Sequence, residues 1–160
     1  TARKTMEKAG IPITPGTEVH SSDWEAIQKS ADKIGYPLMV KASAGGGGKG
    51  MRIVRDAKDL RSAIEAGRRE AKSAFGSDVV YIEKYLEKPR HVEFQVLSDS
   101  HGNVIHLFER ECSIQRRHQK IIEESPATAL DEELRQKMGE TACRVIEAVH
   151  YTNAGTVEFL

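Results

Sequence analysis

Lys41 closes an apolar run, Pro37-Leu38-Met39-Val40, and leads through Ala42-Ser43-Ala44 into Gly45-Gly46-Gly47-Gly48-Lys49-Gly50. Five glycines in six positions remove the side chains that would keep backbone N–H groups away from an anion. Lys41 and Lys49 place positive charge on either side. The chemistry such a loop can do is to hold phosphate, so a nucleotide is the first ligand to consider. Gly45, Gly47 and Gly50 satisfy G-x-G-x-x-G, but in a dinucleotide fold the last glycine opens a helix. Here Met51-Arg52-Ile53-Val54-Arg55 alternates and carries two β-branched residues, which predicts a strand. A Walker A loop is excluded because Gly50, not Ser or Thr, follows Lys49. Strand, glycine loop and strand make a hairpin able to lie over phosphates as a lid; a flexible glycine linker is the alternative.

Three other groupings could do chemistry. In His91-Val92-Glu93-Phe94-Gln95-Val96 the period of two sends Val92, Phe94 and Val96 to a core and His91, Glu93 and Gln95 to the opposite face. An ordinary half-exposed strand reads the same way. Gln115-Arg116-Arg117-His118-Gln119-Lys120 crowds cationic and amide groups onto a turn between strands. It could receive a second anion, serve as a solvated charged turn, or contact nucleic acid. Glu158 alternates with Val157 and Phe159 and so faces away from the core. Near a triphosphate such a carboxylate suits Mg²⁺, which takes one or two carboxylates plus phosphate oxygens; a surface glutamate is the alternative.

These residues need elements to position them. Residues 1–9 read as the end of a helix, stopped by Gly10 with Pro12 and Pro15 beyond. A short strand is expected over Thr17 to His20, and Ser22-Asp23-Trp24-Glu25 reads as a capping box for a helix to about Ile34, with Trp24 in a packing role. Leu38 to Ala42 is the lysine strand, and Asp56 is expected to cap a helix through Leu60, Ala63, Ile64 and Ala71 to Phe75-Gly76. A strand follows over Val79 to Glu83. From Pro15 to Tyr85 the order is β-α-β-β-α-β, an open sheet with two helices on one face. Strands then follow one another over Arg90 to Leu97, Asn103 to Gln115 and Lys120 to Glu124, with a turn at Ser98 to Gly102. A helix from about Glu132 to Val149, capped by Asp131, and a final strand after Asn153-Ala154-Gly155 complete an α+β chain.

Bulk properties narrow the function. The 160 residues carry 24 basic and 24 acidic side chains, so no net field recruits nucleic acid or membrane. The basic turn has no interleaved aromatic residue, which argues against nucleic acid. Cys112 and Cys143 lack metal-type spacing and are expected to be reduced thiols in a cytoplasmic compartment, with a mitochondrial matrix the alternative if the source is eukaryotic. No apolar run approaches the roughly 20 residues of a membrane span. Thr1 is not an initiator, and Thr156 to Leu160 stops in mid-strand, so both ends read as cut from something longer.

Taken together, Val40-Lys41-Ala42-Ser43 with the glycine loop, Glu83-Lys84-Tyr85-Leu86, Pro89-Arg90-His91-Val92-Glu93, Glu109 to Lys120 and Gly155 to Leu160 resemble biotin carboxylase, a member of the ATP-grasp family. The resemblance covers essentially the whole chain, and Gln115 to Lys120 is the segment that other ATP-grasp enzymes lack. It implies an ATP-grasp fragment: a linker helix at 1–14 from an N-terminal subdomain, a lid subdomain at 15–85 with the glycine hairpin, and the first part of an antiparallel-sheet subdomain at 86–160. By position, Lys41 resembles the lysine on the ATP phosphates, and Gly45, Gly46, Gly47, Gly48 and Gly50 the mobile lid, with Gly47 and Gly48 nearest the nucleotide. Glu83, Lys84, Tyr85 and Leu86 resemble the hinge that hydrogen-bonds adenine, through Glu83 and the backbones of Lys84 and Leu86. His91, Gln115 and His118 match residues of the ribose and phosphate site, Lys120 the bicarbonate-contacting lysine, and Glu158 the first magnesium (or manganese) carboxylate.

The implied reaction is attack of bicarbonate on the γ-phosphate of ATP, giving carboxyphosphate, then transfer of the carboxyl group to N1′ of biotin on a carrier protein. The partners implied are a biotin carboxyl carrier protein, a carboxyltransferase and a second copy of the parent in a homodimer. The glycine loop leans toward the acetyl-CoA carboxylases of fatty acid biosynthesis. Lys49 stands where many members have Arg, losing the bidentate fork. The family's second metal carboxylate and its Arg-x-Gln-Val-Glu stretch would follow Leu160, so the isolated segment is expected to be inactive. A different ATP-grasp carboxylate ligase, or a non-catalytic nucleotide-binding module, are the alternatives.

Overall fold

The computed structural model describes residues 2–20, 22–44, 51–116 and 119–160, with Ala2 described by its backbone alone. The glycine loop at 45–50, with Lys49, and the pair Arg117 and His118 lie outside the described residues. Two compact units form, Thr14–Glu87 and Thr1–Ile13 with Lys88–Leu160.

In the first unit, β1 (Gly16–Val19), α2 (Trp24–Ile34), β2 (Leu38–Ala42), β3 (Arg52–Val54), α3 (Ala57–Phe75) and β4 (Val80–Lys84) follow the expected β-α-β-β-α-β order. The sheet runs β1-β4-β2-β3, every pairing antiparallel. Leu38 and Val40 of β2 and Val80 and Ile82 of β4 face a core closed by Ile27 and Ala31 of α2 and Leu60 and Ile64 of α3. One apolar face per strand is therefore consumed by the helices, and Met39, Lys41, Tyr81 and Glu83 take the other by alternation. Trp24 packs on this core, as expected, with the Arg61 guanidinium 5.5 Å from its ring centroid.

Local capping differs from the sequence expectation in two places. Asp23, not Ser22, is the N-cap of α2, accepting from the N–H groups of Glu25 (3.0 Å) and Ala26 (3.3 Å). Asp56 precedes α3 but makes no side-chain cap bond. β4 also sits one residue later than expected, because Val79 O accepts from the Ser43 N–H while Lys84 extends the ladder by donating its backbone N–H to Pro15 O at 2.8 Å.

The second unit contains α1 (Ala2–Lys8), β5 (Val92–Ser98), β6 (Val104–Arg116), β7 (Gln119–Glu124), α4 (Glu132–Ala148) and β8 (Asn153–Phe159). Its antiparallel sheet runs β7-β6-β5-β8. Val92, Phe94 and Val96 fill a core with Ala127, Ala142 and Ile146, flanked by Val157 and Phe159. The turn at 99–103 forms as its sequence predicts, Asp99 Oδ1 accepting from the N–H groups of His101 and Asn103. Residues 1–13 belong to this unit, where the Arg144 guanidinium of α4 donates to Ala9 O and Gly10 O. β8 begins at Asn153, earlier than expected, since the full register from Val92↔Phe159 to Ser98↔Asn153 pairs it with β5.

Gly139 carries no signal in the helical pattern of α4, yet the helix rests on β6 at that point. A Cβ there would meet Nε2, Cε1 and Cδ2 of His106 at 2.5–2.9 Å. The His106 ring is itself wedged edge-on between Phe94 (5.6 Å) and Phe108 (5.3 Å). Gly139→Ala gains up to about 1 kcal/mol of helix propensity, but overpacking of this kind costs roughly 1–3 kcal/mol. Net destabilisation in urea unfolding is the expected outcome; an unchanged or raised midpoint would show that the ring yields freely.

Candidate active site

In the first unit the face opposite the helices carries Lys41, which sits opposite Tyr81 in the β2–β4 register. Its ammonium reaches diagonally to Glu83 Oε1 at 2.7 Å and lies 5.4 Å from the Tyr81 ring centroid. The lysine is thus held on the sheet face by a carboxylate and remains partly open to solvent. Lys84 turns the other way, and its Nζ donates to Gly35 O (3.0 Å) and Tyr36 O (2.7 Å). Together with the Tyr85 N–H on Pro37 O, this ties the 83–86 strand end to the neighbouring segments. Only the backbone of Lys84 is therefore left to face a ligand there, and Leu86 follows half-buried. At the root of the glycine loop, Ser43 Oγ donates to Glu18 Oε1 at 2.7 Å, while Glu18 Oε2 lies 2.9 Å from His20 Nε2. No sequence pattern signals this contact, since its partners lie 25 positions apart.

In the second unit the face opposite α4 collects a row of charge. The register sets Glu93 of β5 directly opposite Arg110 of β6 on one side and Glu158 of β8 on the other. Lys120 arrives from β7, opposite Gln115. Its ammonium is hydrogen-bonded to Glu93 Oε2 and, at 3.1 Å, to Glu158 Oε1. Arg110 donates to Glu93 Oε1 through Nε (2.9 Å) and a terminal nitrogen (2.6 Å). Burial pushes the Glu93 carboxyl up, but the bonds from Lys120 and Arg110 outweigh it and hold the group below the usual carboxylate range. The Glu93 hydrogen bond, with lesser help from Glu158, overcomes desolvation and pushes Lys120 up to about 12.

His91 is fixed by its neighbours. Its backbone N–H donates to Ser113 Oγ, and the Gln115 amide lies 3.0 Å from Nδ1 while also donating to Cys112 O. With the amide donating, Nδ1 is the acceptor and Nε2 carries the proton. That buried Nε2 has no hydrogen-bond partner among the described residues and lies 3.5 Å from Glu158 Oε1 and 3.9 Å from Glu93 Oε2. The expected residues His91, Gln115, Lys120 and Glu158 are thus on one face. The sequence assigns Glu93 and Arg110 no individual role at the site. Their one signal is that Glu93 falls between His91 and Gln95 on the non-core face.

Donor atoms of His91, Glu93 and Glu158 lie within 4.8 Å of one another. Both Glu93 oxygens are engaged by cations, so Glu158, whose side chain is 54% exposed, is the carboxylate that fits a hard divalent ion. Cys112 is buried and Cys143 partly so, both as free thiols. Among the described residues no helix is long and apolar enough to cross a membrane.

A sequence-family model described as the carbamoyl-phosphate synthase L chain, ATP binding domain, matches residues 1–160, and the chain belongs to that family. It is 57% identical over 160 residues to a pyruvate carboxylase component from Methanothermobacter thermautotrophicus, covering 100% of this chain and 33% of the relative. It is 53% identical over 161 residues to a biotin carboxylase of Nostoc sp., covering 100% of this chain and 36% of that protein. The chain therefore spans about a third of the length of the curated relatives it matches. Among solved structures, a biotin carboxylase–β-γ-ATP complex from Campylobacter jejuni matches with a TM-score of 0.90 at 51% identity, over 99% of this chain and 35% of that one. The biotin carboxylase domain dimer of Hydrogenobacter thermophilus 2-oxoglutarate carboxylase, in complex with MgADP, ADP and bicarbonate, matches at 0.88 and 46%, over 99% and 35%. The resemblance stated from sequence, and the α+β ATP-grasp fold it implied, are both upheld.

Glu93, Glu109 and Glu111 are all held below the ordinary carboxylate value of 4.5. Each therefore adds stability that is present above about pH 4.5 and is lost as pH falls through its depressed folded value. Urea unfolding of the chain is expected to weaken steadily below pH 4.5, and Glu93→Gln should flatten that slope. An identical slope in the variant would remove Glu93 from the linkage.

Proposed function

We propose that this chain is the ATP-binding portion of a biotin carboxylase, and that the parent carboxylates carrier-bound biotin with ATP and bicarbonate. The observation that carries the proposal is Lys120, a cation held by two carboxylates on the sheet face that also bears His91 and Gln115. Lys41 takes the ATP phosphates, with Gly45, Gly46, Gly47, Gly48 and Gly50 closing over them. Glu83, the backbones of Lys84 and Leu86, and Tyr85 receive adenine. His91, Gln115 and His118 line the ribose and phosphates. Lys120 holds bicarbonate by charge and aims one of its oxygens at the γ-phosphorus.

The new O–P bond forms as the bond to ADP breaks, giving carboxyphosphate; the carboxyl group then passes to N1′ of biotin as its C–O bond to phosphate breaks, and the released inorganic phosphate takes up the N1′ proton. Phosphoryl transfer of this kind depends on positioning and on neutralised charge. Magnesium or manganese held at Glu158 would supply charge neutralisation on the phosphate oxygens. Water exclusion by the glycine lid protects carboxyphosphate from hydrolysis. A biotin carboxyl carrier protein, a carboxyltransferase and a second copy of the parent complete the assembly, in a reduced compartment that suits two free thiols. The glycine loop leans toward acetyl-CoA carboxylase and fatty acid biosynthesis, though the relatives include pyruvate and methylcrotonoyl-CoA carboxylases.

Two substitutions in the complete enzyme test the assignments. Lys41→Met should raise the KM for ATP by about tenfold, roughly 1.4 kcal/mol, without lowering the unfolding midpoint; an unchanged KM removes Lys41 from the site. Lys120→Ala should raise the KM for bicarbonate tenfold or more and that for ATP far less, and equal effects on both would sink the anion assignment.

A further inference from the structure

We infer that Arg110 is a positioning residue for bicarbonate, acting through Glu93 on Lys120, an inference that rests on the reading of Lys120 given above.

The geometry supplies the reason. A glutamate with two free oxygens can rotate and let a bound lysine wander between them. Arg110 removes that freedom: both of its bonds to the carboxylate go to Oε1, so Oε2 alone is presented to Lys120. Two guanidinium N–H groups converge on Oε1 from fixed directions, which a lysine ammonium does not reproduce. Arg110 is itself anchored, because its remaining terminal nitrogen donates to Gln95 Oε1 at 3.2 Å, and Gln95 Nε2 donates to Gly155 O at 2.8 Å. Gly155 lies on β8, the strand that carries Glu158. The arginine is therefore braced against the strands bearing both partners of Lys120.

Charge balance points the same way. Glu93 is buried and has Glu158 opposite it, with a Glu123 carboxylate oxygen 3.8 Å from Arg110 Nε. Without Arg110 the Lys120 ammonium would be the one cation, among the described residues, hydrogen-bonded to Glu93, and Glu158 would compete for it. Glu93 would be free to rotate, and the ammonium would drift toward the exposed carboxylate. The anion site would lose its fixed centre while keeping its charge. Arg110 needs no contact of its own with bicarbonate to act in this way.

The test is steady-state kinetics of the complete enzyme carrying Arg110→Met, Arg110→Lys or Lys120→Ala, with unfolding midpoints measured alongside. Arg110→Met should raise the KM for bicarbonate five- to tenfold with the KM for ATP changed less than twofold. Arg110→Lys, which keeps the charge but not the fork, should recover only part of that loss. If the methionine variant fails to fold, the lysine variant carries the test, with a two- to fivefold rise in the bicarbonate KM expected. A bicarbonate KM unaltered in folded Arg110 variants, or one rising in parallel with that for ATP, would overturn the inference while a bicarbonate-specific defect in Lys120→Ala left the proposed function standing. No bicarbonate defect in Lys120→Ala would overturn both.

Discussion

A buried carboxylate must be matched by cations or surrender its charge, and Glu93 is the place where this chain meets that constraint. The side chain is sealed by the strands around it, yet it stays ionised because Arg110 and Lys120 each donate to it. Removing a partner from such an arrangement leaves an unpaired buried charge, which costs far more than any exposed ion pair is worth. The exposed Arg61–Glu65 pair of α3, at i and i+4, belongs to that weaker class. The sheet register places Arg110 and Glu158 opposite Glu93, so a one-residue slip of either strand would point the charges into the Phe94 core. Fold and site are thus specified by the same alternation.

The first unit follows the same logic with lighter demands. Lys41 and Glu83 lie on the side of the sheet that the helices leave open, so their pairing is a modest contact that a phosphate could displace. Anchors around them are neutral or backbone-mediated, as with Lys84 on the carbonyls of Gly35 and Tyr36. Lys41 has a single carboxylate partner, Glu83, among the bonds described, whereas Lys120 is held from two sides by Glu93 and Glu158.

Much of this was legible in the residues. Alternation in His91 to Val96 and around Glu158 predicted which side chains leave the core face, and the second sheet obeys it. Element order was readable because Gly35-Tyr36-Pro37, Gly76 and the Asp99 turn punctuate the chain strongly. Three things were not readable. Choosing Asp23 over Ser22 as the cap depends on backbone dihedrals, not on residue type. Gly139 looks like a weak spot in a helix until His106, from a distant strand, is packed against it. Arg110 stands in a run of alternating charge, and only the β5–β6 register shows that it grips Glu93 from 17 positions away.

Oxygen transfer in the complete enzyme tests the central claim most directly. If Lys120 holds bicarbonate for attack on the γ-phosphorus, the attacking oxygen stays bonded to phosphorus when the carboxyl group departs. Turnover with ¹⁸O-labelled bicarbonate and unlabelled ATP should then yield inorganic phosphate carrying one labelled oxygen. Phosphate free of label, in an enzyme that cleaves ATP under those conditions, would contradict the account.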